Sequence, residues 1–247
     1  MSTDESGNFL AISGLTKRFG GIIAVEDLSL GLSRGELVGL IGPNGSGKTT
    51  AINLMTGALK PDRGSIELDG AGMVGKRAHR FAHQGVARTF QVPRLFRRMS
   101  VLENLIVPAL SERAVKRSAA EARADKVLRF LRLEHLTHEL ARALSGGQQK
   151  LLELGRALML EPRLLLLDEP FAGVHPHLLD QIIGHIQKLN TEGYTIVVVD
   201  HNLEAIGSVA KRTVVMAQGH KIADGTPETV LQDSAVIKAY TGSKKKH

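Results

Sequence analysis

An α/β fold on a mainly parallel sheet is predicted by three observations. Leu164-Leu165-Leu166-Leu167 and Thr195-Ile196-Val197-Val198-Val199 are short, fully apolar runs, as strands covered on both faces require. Between them Leu178, Leu179, Ile182, Ile183, Ile186 and Leu189 recur at the spacing of one helix face, the pattern of a packed core helix. A third apolar run, Leu37-Val38-Gly39-Leu40-Ile41, is followed by Gly42-Pro43-Asn44-Gly45-Ser46-Gly47-Lys48-Thr49 and then by helix-forming Thr50-Ala51-Ile52-Asn53-Leu54-Met55. Strand, glycine-rich loop and helix thus come in the order a phosphate-binding loop needs.

Before that loop, Phe9-Leu10-Ala11-Ile12 and Leu28-Ser29-Leu30-Gly31-Leu32 read as strands, the second with apolar residues at alternate positions. After it, Lys60-Pro61-Asp62-Arg63-Gly64 is a turn and Ser65-Ile66-Glu67-Leu68 a further strand, so an antiparallel sheet beside the loop is expected. From Val101 to about Ala143 charges and alanines dominate, and Val127, Leu128, Leu131 and Leu133 mark one face of a helix. This stretch is expected to form a helical subdomain. No internal repeat is present, which predicts one nucleotide unit rather than a fused pair.

The chain has 247 residues, 43% hydrophobic and 23% charged, enough to bury a full core in one domain with a smaller helical part. It contains no cysteine, which excludes disulfides and thiolate metal sites. The polar, acidic start Met1-Ser2-Thr3-Asp4-Glu5-Ser6-Gly7-Asn8 is the opposite of a signal peptide, and no apolar stretch has the length needed to cross a bilayer. A net charge of +7 suits polyanions without choosing among ATP, nucleic acid and an anionic membrane face, and Lys244-Lys245-Lys246-His247 reads as a solvated end.

The loop composition has a chemical reason. Glycines at 42, 45 and 47 let successive N–H groups turn toward phosphate oxygens, and the positive end of the following helix adds to that field. Lys48 brings a point charge to the β- and γ-phosphates, the Thr49 hydroxyl is a Mg²⁺ ligand, and Thr50 is expected to donate to the α-phosphate. Asp168 and Glu169 close the Leu164–Leu167 strand, as acidic residues do in a Walker-B element. Asp168 is expected to hold Mg²⁺, directly or through water, and Glu169 to take a proton from the attacking water.

With Leu144-Ser145-Gly146-Gly147-Gln148 the chain resembles the ATP-binding cassette (ABC) ATPases, whose signature reads LSGGQ, and the resemblance covers nearly its whole length. Gln91 in Thr89-Phe90-Gln91 matches that family's Q-loop and adds a Mg²⁺ ligand. His201 in Asp200-His201 matches its switch histidine, and Phe19 in Lys17-Arg18-Phe19-Gly20 stands where an aromatic lies against adenine. Phe19, Lys48, Gln91, Ser145, Glu169 and His201 also occur in the family's order. The resemblance implies a P-loop NTPase of ABC type over residues 1–247. Its core, with the antiparallel β part, would occupy about 1–90 and 161–225, the helical subdomain with the signature about 91–160, and C-terminal helices with a basic tail 226–247.

ATP and Mg²⁺ are the implied cofactors. Ser145 with the N–H groups of Gly146 and Gly147 makes a second anion site at a helix start. In the family such a site, completed by Gln148, closes on ATP held by a partner's P-loop, so a head-to-tail homodimer, or a heterodimer with a related ATPase, is implied. One departure stands in Ala172-Gly173-Val174-His175-Pro176, where His175 replaces the Asp of many members or the Asn of amino-acid importers. An imidazole there would make the cross-subunit contact pH-sensitive.

Val92-Pro93-Arg94-Leu95-Phe96-Arg97-Arg98-Met99 mixes large apolar side chains with arginines, the composition of an interface. In the family this region receives a coupling helix of the membrane subunit. The run Val86 to Gln91, Met99 to Leu105 and Gly225-Thr226-Pro227-Glu228 are similar to ATPases of branched-chain amino-acid importers, whereas Glu169-Pro170-Phe171-Ala172-Gly173-Val174 is similar to the lipopolysaccharide-export ATPase. Import of branched-chain amino acids or similar small polar solutes is the expected function, with permease subunits and a solute-binding protein as partners, at the cytoplasmic face of the inner membrane. Lipopolysaccharide export is the alternative. A soluble ABC protein acting on ribosomes or DNA would carry two cassettes or a long coiled coil, and a switch without turnover would not need Glu169, so no nucleic acid is expected.

Overall fold

Apolar runs and helical stripes assemble into two sheets sharing one interior. The computed structural model describes residues 8–110 and 115–242, so the lysine-rich end lies outside the described residues. β1 (Leu10–Phe19) and β2 (Ile22–Leu32) form a long hairpin, and β3 (Leu37–Ile41) leads through the glycine-rich loop into α1 (Lys48–Met55). β4 (Arg63–Leu68) and β5 (Ala71–Gly72) join β1 and β2 in a four-stranded antiparallel sheet of order β2-β1-β4-β5. α2 (Ala78–His83) and β6 (Val86–Arg88) precede α3 (Val101–Leu110), α4 (Arg117–Leu131) and α5 (Gly146–Leu158). β7 (Leu164–Asp168), α6 (Pro176–Thr191), β8 (Thr195–Val199), α7 (Leu203–Val209) and β9 (Arg212–Ala217) then alternate, and β10 (His220–Gly225), α8 (Pro227–Gln232) and α9 (Ser234–Gly242) follow.

The second sheet has order β10-β9-β3-β8-β7-β6, parallel throughout except for the β9–β10 hairpin. Successive side chains of a strand point to opposite faces, so each apolar run feeds two cores. Leu164, Leu166, Val197 and Val199 pack with Ile52 and Met55 of α1 against Leu10, Leu28 and Leu30 of the antiparallel sheet. Leu165, Leu167, Ile196 and Val198 face the other way, onto Leu151 of α5, Ile182 and Ile186 of α6, and Ile206 of α7. The helices α3 and α4 enter that same core through Leu105, Ile106, Val127, Leu128 and Leu131. Full burial of such side chains is worth about 1.5–3 kcal/mol each, which explains why β7 carries no polar residue before Asp168.

Two expectations need correction. Leu133 is not on the helix face: α4 stops at Leu131, Arg132 takes the left-handed conformation (φ 58°), and the Leu133 N–H returns to the Leu128 carbonyl at 3.0 Å. Leu133 is nevertheless buried, because this type of cap folds the next apolar residue back onto the helix end. Phe9 precedes the strand rather than opening it. Its ring lies between the guanidinium groups of Arg34 and Arg163, at 4.6 and 5.1 Å, and both arginines also pair with Asp69.

Candidate nucleotide site

The loop between β3 and α1 is shaped by backbone contacts that only glycine permits. A Cβ on Gly42 (φ 152°) would overlap the Met216 carbonyl oxygen, and one on Gly47 (φ 103°) the Ala24 carbonyl oxygen. β9 and β2 therefore press directly on the loop. α1 starts with Gly47 as its cap and no side-chain cap, so its first N–H groups remain available to an anion. Lys48 Nζ donates to the carbonyls of Gly42 (2.7 Å) and Pro43 (3.0 Å). Burial lowers its pKa, against the fields of Glu169, Asp168 and Asp200. Pro43, Asn44, Gly45 and Ser46 make the turn, and Thr49 and Thr50 lie in the first turn of α1.

At the end of β7 two adjacent carboxylates meet different surroundings. Asp168 is buried and its Oδ2 accepts from Arg88 Nη2 at 3.2 Å, while Arg88 Nη1 donates to Asn53 at 2.6 Å. Burial raises the Asp168 pKa despite that arginine. Glu169 has a left-handed backbone (φ 50°), uncommon for a residue with a side chain and concentrated at functional sites. Its Oε2 accepts from Gln91 Nε2 at 2.9 Å and lies 3.9 Å from His201 Nδ1. Gln91, Glu169 and His201, far apart in sequence, are thus brought to one point.

Ser145 caps α5: its Oγ accepts from the Gln148 N–H at 3.3 Å, and Gln148 Oε1 accepts from the Ser145 N–H at 2.9 Å. Gly146 and Gly147 form the first turn behind that cap. Among the described residues no hydrogen bond joins Ser145, Gly146, Gly147 or Gln148 to the Gly42–Thr49 loop. Phe19, at the end of β1, is exposed, with Lys17 Nζ 5.6 Å from its ring centre. His175 is the exposed cap residue of α6 and makes no side-chain cap bond.

Residues 25–172 match the family described as "ABC transporter", more than half of the chain. The chain belongs to the ABC transporter family. As an ABC ATPase it is a nucleotide-binding subunit that couples ATP hydrolysis to transport. Residues 220–245 also match the family described as "Branched-chain amino acid ATP-binding cassette transporter". The chain is 40% identical to the high-affinity branched-chain amino acid transport ATP-binding protein BraF of Pseudomonas aeruginosa, over 94% of this chain and 97% of that one. It is 37% identical to the lipopolysaccharide export system ATP-binding protein LptB of Escherichia coli, with the same coverage of 94% and 97%. In structure it is similar to an ATP-binding cassette of an ABC transporter in its ADP conformation, with TM-score 0.87, 35% identity and coverage of 96% and 100%. The dimeric post-hydrolysis state of another cassette, bound to ADP and Pi, superposes with TM-score 0.80, 26% identity and coverage of 88% and 98%.

The ABC ATPase also uses residues that sequence reading left without a role. Asp200, fully buried, accepts from the N–H groups of His201 (2.8 Å) and Asn202 (3.0 Å) with one oxygen and from Phe171 N–H (2.9 Å) with the other. It thereby fixes His201 relative to the segment after Glu169. Lys150 Nζ donates to the carbonyls of Glu169 (2.7 Å) and Ala172 (2.6 Å), and burial lowers its pKa. One turn on, Glu153 Oε1 accepts from the N–H groups of Phe90 and Arg94, each at 3.3 Å, and burial pushes its pKa up to about 7. The signature helix α5 therefore grips the backbone on both sides of Gln91 and from Glu169 to Ala172. The available signal was that Lys150, Glu153 and Arg156 recur at three-residue spacing, and so on one helix face, among Leu151, Leu152, Leu154 and Leu158.

Proposed function

We propose that this ABC ATPase powers import of branched-chain amino acids or similar small polar solutes. The observation that carries this reading is the match of residues 220–245, which cover β10, α8 and α9 and lie outside the general match ending at 172. Lipopolysaccharide export is the second reading, favoured by the 37% identity to the export ATPase. Uptake of labelled leucine into vesicles holding the chain with its permeases and a solute-binding protein tests the choice. ATP-dependent uptake supports import, and lipopolysaccharide extraction without uptake would replace it.

In this reading the N–H groups of Asn44 to Thr50 and the Lys48 ammonium hold the phosphates, and Phe19 offers its exposed ring to adenine. Mg²⁺ fits the donor set: Thr49 Oγ1, an Asp168 oxygen and Gln91 Oε1 are hard oxygen ligands, few enough to leave room for phosphate and water. The Gln91 atom bonded to Glu169 is the amide nitrogen, which leaves its oxygen for the metal. Mg²⁺ would supply charge neutralisation at the phosphates. Glu169 takes the proton of the attacking water, and we assign His201 a polar contact to the terminal phosphate.

Ser145, Gly146, Gly147 and Gln148 of one copy close on ATP in the partner, which is a second copy or a related ATPase. Similarity to a dimeric cassette and the local self-capping of Ser145 support this arrangement. Among the described residues no helix is long and apolar enough to cross a membrane. In this reading permease subunits receive the motion, as the match to branched-chain amino acid transport ATPases supports. We place the contact at Val92 and Phe96, both exposed, and the subunit at the cytoplasmic face. Glu169→Gln should slow ATP hydrolysis about 10²–10⁴-fold, as expected for a lost general base, and accumulate an ATP-bound dimer by light scattering. Parental turnover from a persistent monomer would remove both assignments.

A further inference from the structure

A basic cleft lies between the end of α4 and the outer side of α6, and its lining includes no residue of the candidate nucleotide site. Its volume of about 570 Å³ is that of a small-molecule pocket. Arg129 and Arg132, at the end of α4, and Lys188 and His177, of α6, line it, with Asp180 as the one acid. None of the three cations has an ion-pair partner among the described residues. Arg132 occupies the left-handed cap position where glycine usually stands, so its guanidinium is held there against a conformational preference.

The second observation is His185, which is 8% exposed and has no hydrogen-bond partner for Nε2 among the described residues. Buried polar atoms in folded proteins are rarely left unpaired, and an unpaired one points to a water or ligand. The ring packs on Phe130 at 5.0 Å, and Lys188 Nζ lies 5.3 Å from the Phe130 ring centre, so one connected cluster spans both helices. Burial, together with the charges of Arg132 and Lys188, lowers the His185 pKa. Asp180 is the one carboxylate lining the cleft, so positive charge is in excess there.

We propose that this cleft is a second anion site, one that takes a phosphate-bearing ligand and ties α4 to α6 when filled. Two arginines supply forked donors to phosphate oxygens, Lys188 closes from the opposite helix, and His185 adds a fourth polar contact. The site is separate from the proposed cargo and stands or falls independently of it.

The test follows the His185 ring resonance in the full-length chain with saturating ADP, so that the glycine-rich loop is already filled. Inorganic phosphate is the first probe, and vesicles of phosphatidylglycerol or of phosphatidylcholine alone are the second. A saturable shift with inorganic phosphate assigns a soluble ligand, and a shift only with phosphatidylglycerol assigns a lipid headgroup. Arg132→Gln with Lys188→Gln should weaken the response at least about ten-fold, as loss of charge-assisted bonds predicts, and Arg132→Lys with Lys188→Arg should restore most of it. ADP binding checks that each variant is folded, and Arg129→Gln replaces the double variant if that fails. No shift with either probe, or an unchanged response in the folded variant, overturns the proposal.

Discussion

The glycine-rich loop and the segment from Phe90 to Ser100 both contribute residues to the candidate nucleotide site, and they are held in opposite ways. The first is fixed by backbone: Gly42 and Gly47 lie against carbonyls of β9 and β2, and the one long side chain, Lys48, folds back onto the loop's own oxygens. The second is fixed by side chains that arrive from elsewhere. Glu153 of α5 holds the N–H groups of Phe90 and Arg94, and Arg156 binds the Arg94 carbonyl and covers the Phe96 ring at 4.8 Å. Asn104 of α3, fully buried, accepts from Phe96 N–H at 2.9 Å and donates to the carbonyls of Phe96 and Ser100. A loop built on its own backbone is a rigid cradle. A loop suspended from two helices moves when those helices move, which suits a relay between a permease and Gln91.

The contrast can be broken at its strongest point first. Lys48→Ala should abolish nucleotide turnover while leaving thermal stability near the parent value, because the ammonium holds only oxygens of the loop itself; unchanged ATPase activity would refute the cradle. Phe96→Asp comes next: ATP binding should persist while ATP-driven transport is lost, as measured by uptake in reconstituted vesicles. Full transport by that variant would show that this segment does not meet the permease. Asn104→Ala should cost about 2–4 kcal/mol of folding stability, since it strips several buried hydrogen bonds at once. If urea denaturation shows no loss, the segment is not suspended from α3.

The smallest effect concerns Glu153. Its folded pKa of about 7 lies above the ordinary 4.5, so between those values the folded chain holds an extra proton and stability falls as pH rises. Glu153→Gln should flatten that fall, by roughly 1–3 kcal/mol between the ends of the window. Thermal melts at pH 5 and pH 8 compare the two chains, and parallel pH profiles would place the Glu153 carboxyl outside the buried linkage.

The cradle was legible because its function is written in local chemistry. Glycine spacing, a lysine and a threonine hydroxyl specify the loop whatever surrounds it, and apolar runs without alternation announced strands buried on both faces. Phe9 and Leu133 were misplaced by a residue or two at element ends, where apolar character continues past the last regular hydrogen bond. Arg88, Lys150, Glu153 and Asp200 had no such local signature. Each is a single polar residue with at least one partner 19 to 80 positions away, as in Lys150 to Glu169 and Arg88 to Asp168.

The sequence by itself determined the strand–loop–helix cradle, the two-faced parallel strands, and the order of chemical groups from Phe19 to His201, because these depend on periodicity and on residue types next to one another. Only the tertiary structure decided that Gln91, Glu169 and His201 share one point, that α5 clamps both neighbouring segments, and that Arg129 and Arg132 at the end of α4 and Lys188 of α6 line one cleft. Those relations depend on how helices cross a sheet edge. That packing is set by the summed burial of many side chains, and no single stretch of the chain encodes it.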